Sequence, residues 1–139
     1  MRALVSTSVR TCPQFYDLDP MNVVWHGHYA KFFELARVAL LEKIDYGYEQ
    51  MRCQGHLWPI VELQVRFYKP VRIGQWIDVD AGLVEWESRV KLNYLIRDAN
   101  NGQRLTKGRT LQVAVDSQTE EMLWETPEVF RDKLAPFLG

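Results

Sequence analysis

The segment 16–29 combines an acidic loop with an aromatic–histidine pair, just before a strong helical pattern. Asp17 and Asp19 lie in the loop, and Trp25 and His26 end it. A loop carboxylate can attack an electrophilic carbonyl or deprotonate a water molecule. The unpaired N–H groups at the start of the following helix can hold the oxyanion that forms. This arrangement is one way to build a hydrolytic site, although the spacing alone favours a simple turn role for Asp19.

The helix that follows must position this site. Its apolar residues recur at spacings of three and four, which is the period of one helix face. They are Tyr29, Phe32, Phe33, Ala36, Leu40, Leu41 and Ile44. We expect the helix to end at Gly47. A helix of about 18 residues would be about 27 Å long, enough to cross a sheet.

Most of the remaining chain alternates apolar and polar residues, as strands do. A hairpin turn is expected at 100–102, where the sequence is Asn-Asn-Gly. Thr126 and Pro127 suit an N-cap and a first helical position, so we expect a short C-terminal helix. One long helix and about five antiparallel strands with one apolar face predict an α+β fold, with the helix on the sheet. The alternating segments are 3–11, 61–67, 77–83, 90–97 and 111–115.

The chain resembles the hotdog-fold acyl-CoA thioesterases of the 4-hydroxybenzoyl-CoA thioesterase group. Residues 17–29 match the family pattern D-x-D-x-x-x-x-V-[WY]-[HY]-x-x-Y. Residues 31–37 are similar to the family's helix, and 67–74 to its Pro/Gly corner between two strands. The resemblance implies a hotdog fold, in which an antiparallel sheet of about five strands wraps around one long helix. It also implies a single thioesterase domain over residues 1–139.

The resemblance assigns roles within the loop. Asp19 falls on the family's catalytic carboxylate, which acts as nucleophile or general base, although an Asp-Pro pair by itself indicates only a turn. The His26 N–H would donate to the thioester oxygen, and its imidazole would orient substrate or water. Asp17, the competing acid, is expected to be a solvated loop charge.

Trp25, Gly27, Tyr29 and Phe33 are the candidate substrate-binding residues. Gly27 would let the thioester approach the backbone closely. Spacing alone favours core packing for Tyr29 and Phe33. In the family this end of the helix also lines the acyl pocket, so both roles are compatible. Asn22 departs from the family pattern, in which many relatives have Gly, but Asn can adopt a left-handed conformation.

Composition narrows the function classes. The 139 residues carry a formal net charge of −1, which does not favour nucleic acid as a partner. No apolar run approaches the ~20 residues that span a membrane, so no membrane association is expected. Cys12 and Cys53 read as free thiols of a cytoplasmic protein. His26, His28 and His56 lack a ligand set at metal spacing, so no metal is expected. No Walker loop or dinucleotide fingerprint is present, so no other cofactor is expected.

The predicted function is a cytoplasmic acyl-CoA thioesterase, which hydrolyses acyl-CoA to a carboxylic acid and CoA. One alternative is a thioesterase for acyl carrier protein in fatty acid or polyketide synthesis. Others are a hotdog hydratase or dehydratase, which needs an acid on the helix, and a non-catalytic acyl-binding hotdog subunit. Since hotdog relatives pair two sheets edge to edge, we expect a homodimer or homotetramer whose site is shared between subunits.

Overall fold

The computed structural model describes residues 3–138, in which seven strands and three α-helices are present. No helix within this range is both long and apolar enough to cross a bilayer. Two 3₁₀ turns, Phe15–Asp17 and His26–His28, precede the first helix. The helices are α1 (Tyr29–Lys43), α2 (Tyr48–Cys53) and α3 (Glu128–Leu138). The strands are β1 (Val5–Thr11), β2 (His56–Leu57), β3 (Ile60–Phe67), β4 (Ile77–Glu85), β5 (Val90–Asp98), β6 (Arg104–Gln112) and β7 (Val115–Asp116).

Five strands form one antiparallel sheet in the order β1-β4-β5-β6-β3, and β2 pairs with β7 in a separate two-stranded ribbon. The long helix α1 packs on one face of the large sheet. All seven residues of its predicted apolar stripe are buried. The predicted α+β hotdog fold, with five strands and one long helix, is therefore confirmed.

A glycine in β6 determines how closely α1 approaches the sheet. The ring of Phe33 stacks on the ring of Tyr94 in β5, with 4.5 Å between centroids. A Cβ atom added at Gly108 would lie 2.4 Å from the Phe33 ring. The missing side chain at this position therefore makes room for the helix aromatic.

The first helix ends earlier than Gly47, so that prediction is wrong. The last helical residue is Lys43, and Asp45 follows in a left-handed conformation (φ 58°). The Tyr46 N–H donates to the Leu41 carbonyl (2.9 Å), which closes a Schellman motif. Gly47 instead precedes α2, a helix that the sequence analysis did not predict.

The last strands also differ from the alternation pattern. We expected a strand at 111–115, but β6 runs from Arg104 to Gln112 and β7 is a separate short strand. The positions of β6 opposite the inward side chains of β5 are Thr106, Gly108 and Thr110. Since none of these is strongly apolar, the first half of β6 has no alternation to detect.

The expected C-terminal helix is confirmed as α3, and Gly102 adopts the positive φ (75°) that suits the predicted hairpin turn. Thr126 has a different role from the expected cap. Its hydroxyl donates to the Trp86 carbonyl (2.6 Å) and ties the start of α3 to the end of β4.

Candidate active site

The acid loop is a small hairpin held beside the helix start. Leu18 and Val24 form an antiparallel bridge across it. The Asp19 N–H donates to the Val23 carbonyl (2.8 Å), and Asn22 adopts φ 64° at the turn. The left-handed conformation expected of Asn22 is confirmed. The loop therefore has a defined shape, and Asp19 lies at its turn.

The Asp19 side chain is partly exposed. One carboxylate oxygen accepts a hydrogen bond from the Met21 N–H (2.8 Å), which orients the group within its own turn. Its second oxygen is available to a substrate or a water molecule. This arrangement suits a carboxylate that acts as nucleophile or base.

Asp17 differs from the expected solvated charge, since it is only 3% exposed. Its carboxylate accepts from the Gln14 N–H (2.8 Å) and forms an ion pair with Lys31 of α1. Burial raises the pKa of Asp17, but the hydrogen bonds from Lys31 and Gln14 outweigh it and leave the pKa below its ordinary value. The Trp25 N–H also donates to the Asp17 carbonyl (2.9 Å). Asp17 therefore joins the acid loop to the helix start.

The 3₁₀ turn at His26–His28 runs directly into α1. The His28 N–H donates to the Trp25 carbonyl (2.9 Å). The N–H groups of His26 and Gly27 lie between these two residues, and neither donates a hydrogen bond within residues 3–138. Unpaired N–H groups are typical of a helix start, and these two are available to donate to an oxyanion.

The indole ring of Trp25 covers the backbone at Gly27. A Cβ atom at Gly27 would lie 2.2 Å from the ring. Trp25 is 45% exposed, and the centroid of its ring is 5.0 Å from that of the His26 imidazole. In this conformation the glycine accommodates Trp25, so a thioester would approach the Gly27 backbone only from the uncovered side.

Tyr29 and Phe33 are each 2% exposed, which confirms their core packing. The Tyr29 hydroxyl accepts from the Val71 N–H (3.3 Å). Burial raises the pKa of Tyr29, the Val71 hydrogen bond opposes this, and the charge of Asp19 raises it further. The hydrogen bond to Val71 fixes the Tyr29 hydroxyl at the first turn of α1.

The three histidines do not form a cluster. His26 and His28 belong to the 3₁₀ turn, whereas His56 lies in β2. Within residues 3–138, no group of three or more His, Cys, Asp or Glu side chains is arranged to hold a metal ion. Lys31 was not among the predicted site residues, because its pairing with Asp17 depends on the fold.

Comparison with known proteins agrees with the fold. The chain is 28% identical over 127 residues to a putative esterase of Synechocystis sp., covering 91% of this chain and 75% of the relative. It is 29% identical over 62 residues to a putative acyl-CoA thioesterase of Bacillus subtilis, covering 45% of each chain. The crystal structure of a hypothetical protein from Thermus thermophilus has a TM-score of 0.84 at 28% identity, covering 94% of this chain and 98% of that one. The model of the thioesterase-like superfamily matches residues 13–136, and the chain therefore belongs to this superfamily.

Proposed function

We propose that this protein is an acyl-CoA thioesterase in which Asp19 is the catalytic carboxylate. Membership of the thioesterase-like superfamily and relatives named as an esterase and an acyl-CoA thioesterase support thioester hydrolysis. The main support for Asp19 as the catalytic carboxylate is its position. It is partly exposed at the turn of the acid loop, and this loop is tied to a helix start with two unpaired N–H groups. Within the superfamily, the 4-hydroxybenzoyl-CoA thioesterase group is the finer assignment that we propose.

The reaction forms a carbon–oxygen bond and breaks the carbon–sulfur bond of the thioester. In one route the Asp19 carboxylate attacks the carbonyl and displaces the CoA thiolate, and water then hydrolyses the mixed anhydride. In the other route Asp19 removes a proton from water, which attacks the carbonyl directly. Both routes give a carboxylic acid, and CoA leaves as the thiol after the sulfur gains a proton.

The His26 N–H is the proposed oxyanion donor. It is the first amide of the 3₁₀ turn that leads into α1, so the partial positive charge of the helix start adds to its effect. Developing negative charge on the thioester oxygen would be stabilised most in the transition state, which is the requirement for catalysis. No metal is needed for this chemistry.

Substrate contacts are proposed for four residues around this amide. Trp25 presents an exposed aromatic face beside His26, which suits an apolar part of the substrate. Gly27 supplies a second unpaired N–H. Tyr29 and Phe33 would form the buried floor below the thioester. Because both side chains pack on the sheet, we limit their proposed role to positioning the helix start and closing the buried end of the acyl pocket.

We further propose a cytoplasmic homodimer, or a homotetramer built from such dimers. The strand β3 lies at the edge of the sheet, where its backbone can pair with a second chain. Its apolar side chains remain substantially exposed: Ile60 (44%), Val61 (60%), Leu63 (46%) and Phe67 (48%). Pairing two β3 edges would continue the sheet across the subunits and cover this surface.

The direct test is a screen of the purified protein against a panel of acyl-CoAs, with release of the free thiol as the readout. At least one acyl-CoA should be hydrolysed, and at an unchanged rate in the presence of a metal chelator. The best acyl group is then compared on CoA and on acyl carrier protein, to identify the carrier. Absence of turnover across the panel, or activity that chelation removes and zinc restores, would contradict the proposal.

A further inference from the structure

Positive charge without a counter-charge is concentrated in one part of the sheet. Within residues 3–138, most arginines and lysines are paired with a carboxylate, and Lys43 donates to the Ser6 carbonyl (2.7 Å). The remaining six make no ion pair in this range, and all are exposed or partly exposed. These residues, named here the basic surface, are Arg66, Lys69, Arg72, Lys91, Arg104 and Lys107.

The middle of the basic surface lies on the outer face of the sheet, which is the face away from α1. The Phe33 ring of α1 packs over Gly108, so the side chain of the neighbouring Lys107 points to the outer face. Arg66 is directly opposite Lys107 in the β3–β6 ladder and shares this face. In β5, Lys91 precedes a buried, inward residue and also points outward. A groove of about 790 Å³ runs between these three cationic side chains.

The pairing of Arg66 with Lys107 is unfavourable in the free chain. Like charges that lie directly opposite each other on neighbouring strands destabilise a sheet. The nearby acid Glu62 does not compensate for them, because it is already paired with Arg109 (2.8 Å). A negatively charged partner on the outer face would therefore relieve this repulsion.

The basic surface continues to the acid loop. The Lys69 N–H donates to the Leu105 carbonyl (3.1 Å), which holds Lys69 beside the first residues of β6. Arg72 forms an antiparallel bridge with Val23 of the acid loop. The Val23 carbonyl in turn accepts from the Asp19 N–H (2.8 Å). The cations therefore lead from the outer face to the loop that carries the proposed catalytic acid.

Exposed apolar side chains accompany these cations. Tyr68 (45% exposed), Ile73 (50%) and Trp76 (52%) lie in the corner between β3 and β4 that also contains Lys69 and Arg72. Protein–protein interfaces are enriched in aromatic residues and surround an apolar centre with polar groups. The combination of cations with exposed aromatic side chains favours an acidic protein as the partner.

The extent of the basic surface also favours a protein. Lys91 is opposite Leu111, so Lys91 and Arg104 are separated by about seven residue steps of β6, or roughly 23 Å. An acidic helix of about 15 residues has this length, whereas the phosphates of one nucleotide lie close together. We propose that the basic surface docks an acidic acyl carrier protein, whose phosphopantetheine arm presents the acyl group to Asp19.

The proposal rests on the thioesterase function proposed above and adds a second carrier of the acyl group. CoA and acyl carrier proteins present the thioester on the same phosphopantetheine arm, so the reaction at Asp19 is unchanged. Water is consumed, the carbon–sulfur bond breaks, and the arm leaves as the free thiol. The carriers differ only in what lies beyond the arm, and this difference is what the basic surface would recognise.

One acyl group on two carriers tests the docking. The acyl group that the CoA panel identifies is loaded on CoA and on a type II acyl carrier protein, and wild type should hydrolyse both thioesters. Lys107→Glu places a negative charge where the carrier docks. It should raise KM for the carrier protein by about tenfold or more, with kcat unchanged. The kcat/KM for the CoA thioester should change by less than about threefold.

Two further variants serve as controls. Lys107→Gln removes the charge without reversing it, so its effect on KM should have the same direction and be smaller. Lys43→Glu makes the same change of net charge at an exposed position at the end of α1, outside the basic surface, and should leave KM for both carriers unchanged. Lys107→Glu removes the repulsion with Arg66, so it should remain folded by circular dichroism.

The carrier protein gives the reciprocal measurement. Replacing acidic residues of its docking helix by Asn or Gln should raise KM for wild type. The same replacements should add little to the effect of Lys107→Glu, because the two changes remove one interaction. Fully additive effects would overturn the docking of this helix on the basic surface.

The outcomes separate this inference from the proposed function. Hydrolysis of the CoA thioester without hydrolysis of the carrier thioester would overturn the docking and leave the thioesterase function standing. Equal losses with both carriers in Lys107→Glu would assign the basic surface to the nucleotide of CoA and would also overturn the docking. No hydrolysis of either thioester would contradict the proposed function itself.

Discussion

The two acids of the loop are only two residues apart, yet their surroundings are opposite. Asp17 is buried and paired with Lys31, whereas Asp19 is partly exposed and contacts the N–H of its own turn. A paired, buried carboxylate is poorly placed to reach a substrate. Asp17 therefore acts as a structural link, which leaves Asp19 as the acid that we propose for catalysis.

The Asp17→Asn variant should fold less stably but keep most of its activity. The substitution removes the charge that pairs with Lys31, while an amide oxygen can still accept from the Gln14 N–H. Because the Lys31 side chain is about half exposed (49%), we expect a loss of only about 1–2 kcal/mol in the free energy of unfolding. Urea denaturation at neutral pH measures this change.

The pH dependence of the same variant gives the matched control. The pKa of Asp17 is lower in the folded protein than its ordinary value of about 4. Its charge therefore stabilises the fold fully at pH values above that ordinary pKa. This stabilisation is lost as the pH falls through the lowered folded pKa. The stability difference between wild type and Asp17→Asn should therefore shrink in acid, and a difference that grows would contradict the ion-pair account.

Among the helices and strands, the sequence predicted those whose buried residues are apolar and recur with a regular period. The stripe of α1 was recognisable because Phe32, Ala36 and Leu40 repeat with the helical period and pack on the sheet. The strand β6 was not recognisable from the sequence, because its inward positions hold threonines and Gly108. Gly108 makes room for Phe33, and Thr110 shares a hydrogen bond with the Tyr94 hydroxyl (2.9 Å); no single-strand pattern contains these contacts.

The Gly108→Ala variant should be clearly destabilised. The new methyl group would lie 2.4 Å from the Phe33 ring and 3.0 Å from the Gln64 carbonyl oxygen. Since Phe33 is stacked on Tyr94, the ring has little room to move. We expect a loss of about 1–3 kcal/mol in the free energy of unfolding, the usual cost of overpacking.

Gly47→Ala is the control for this prediction. Gly47 has φ −78°, and the nearest contact of an added Cβ is the flexible Gln50 side chain at 3.3 Å. The free energy of unfolding of Gly47→Ala should differ from that of wild type by less than about 1 kcal/mol. Equal stability of the two variants in urea denaturation would show that the close contact of α1 with β6 is not essential.

Only those features of the candidate site that depend on local sequence were predictable. Asp19, His26 and Asn22 were recognisable from a local motif, since a short loop and a helix start are local in the sequence. The burial of Asp17 depends on Lys31 of α1, and the shielding of the Gly27 backbone depends on the rotamer of Trp25. Both features arise from three-dimensional packing and not from residue spacing.

The exposed edge of β3 predicts that the chain assembles into oligomers. Sedimentation should give a mass well above the 16.3 kDa of the single chain, equal to a dimer or a tetramer. Dilution should reduce specific activity only as dimers dissociate, because the family resemblance implies a site shared between subunits. A folded monomer with full specific activity would contradict the shared site.

The activity of the Asp19→Asn variant tests whether Asp19 is the catalytic acid. Asparagine keeps the shape of the side chain but can act neither as a carboxylate nucleophile nor as a base. With the best acyl-CoA of the panel, kcat should fall by at least about 10²–10⁴-fold, while folding and oligomer size stay unchanged. Asp17→Asn, measured alongside, should lose far less. An unchanged kcat in folded Asp19→Asn, or a larger loss in Asp17→Asn, would show that Asp19 is not the catalytic acid.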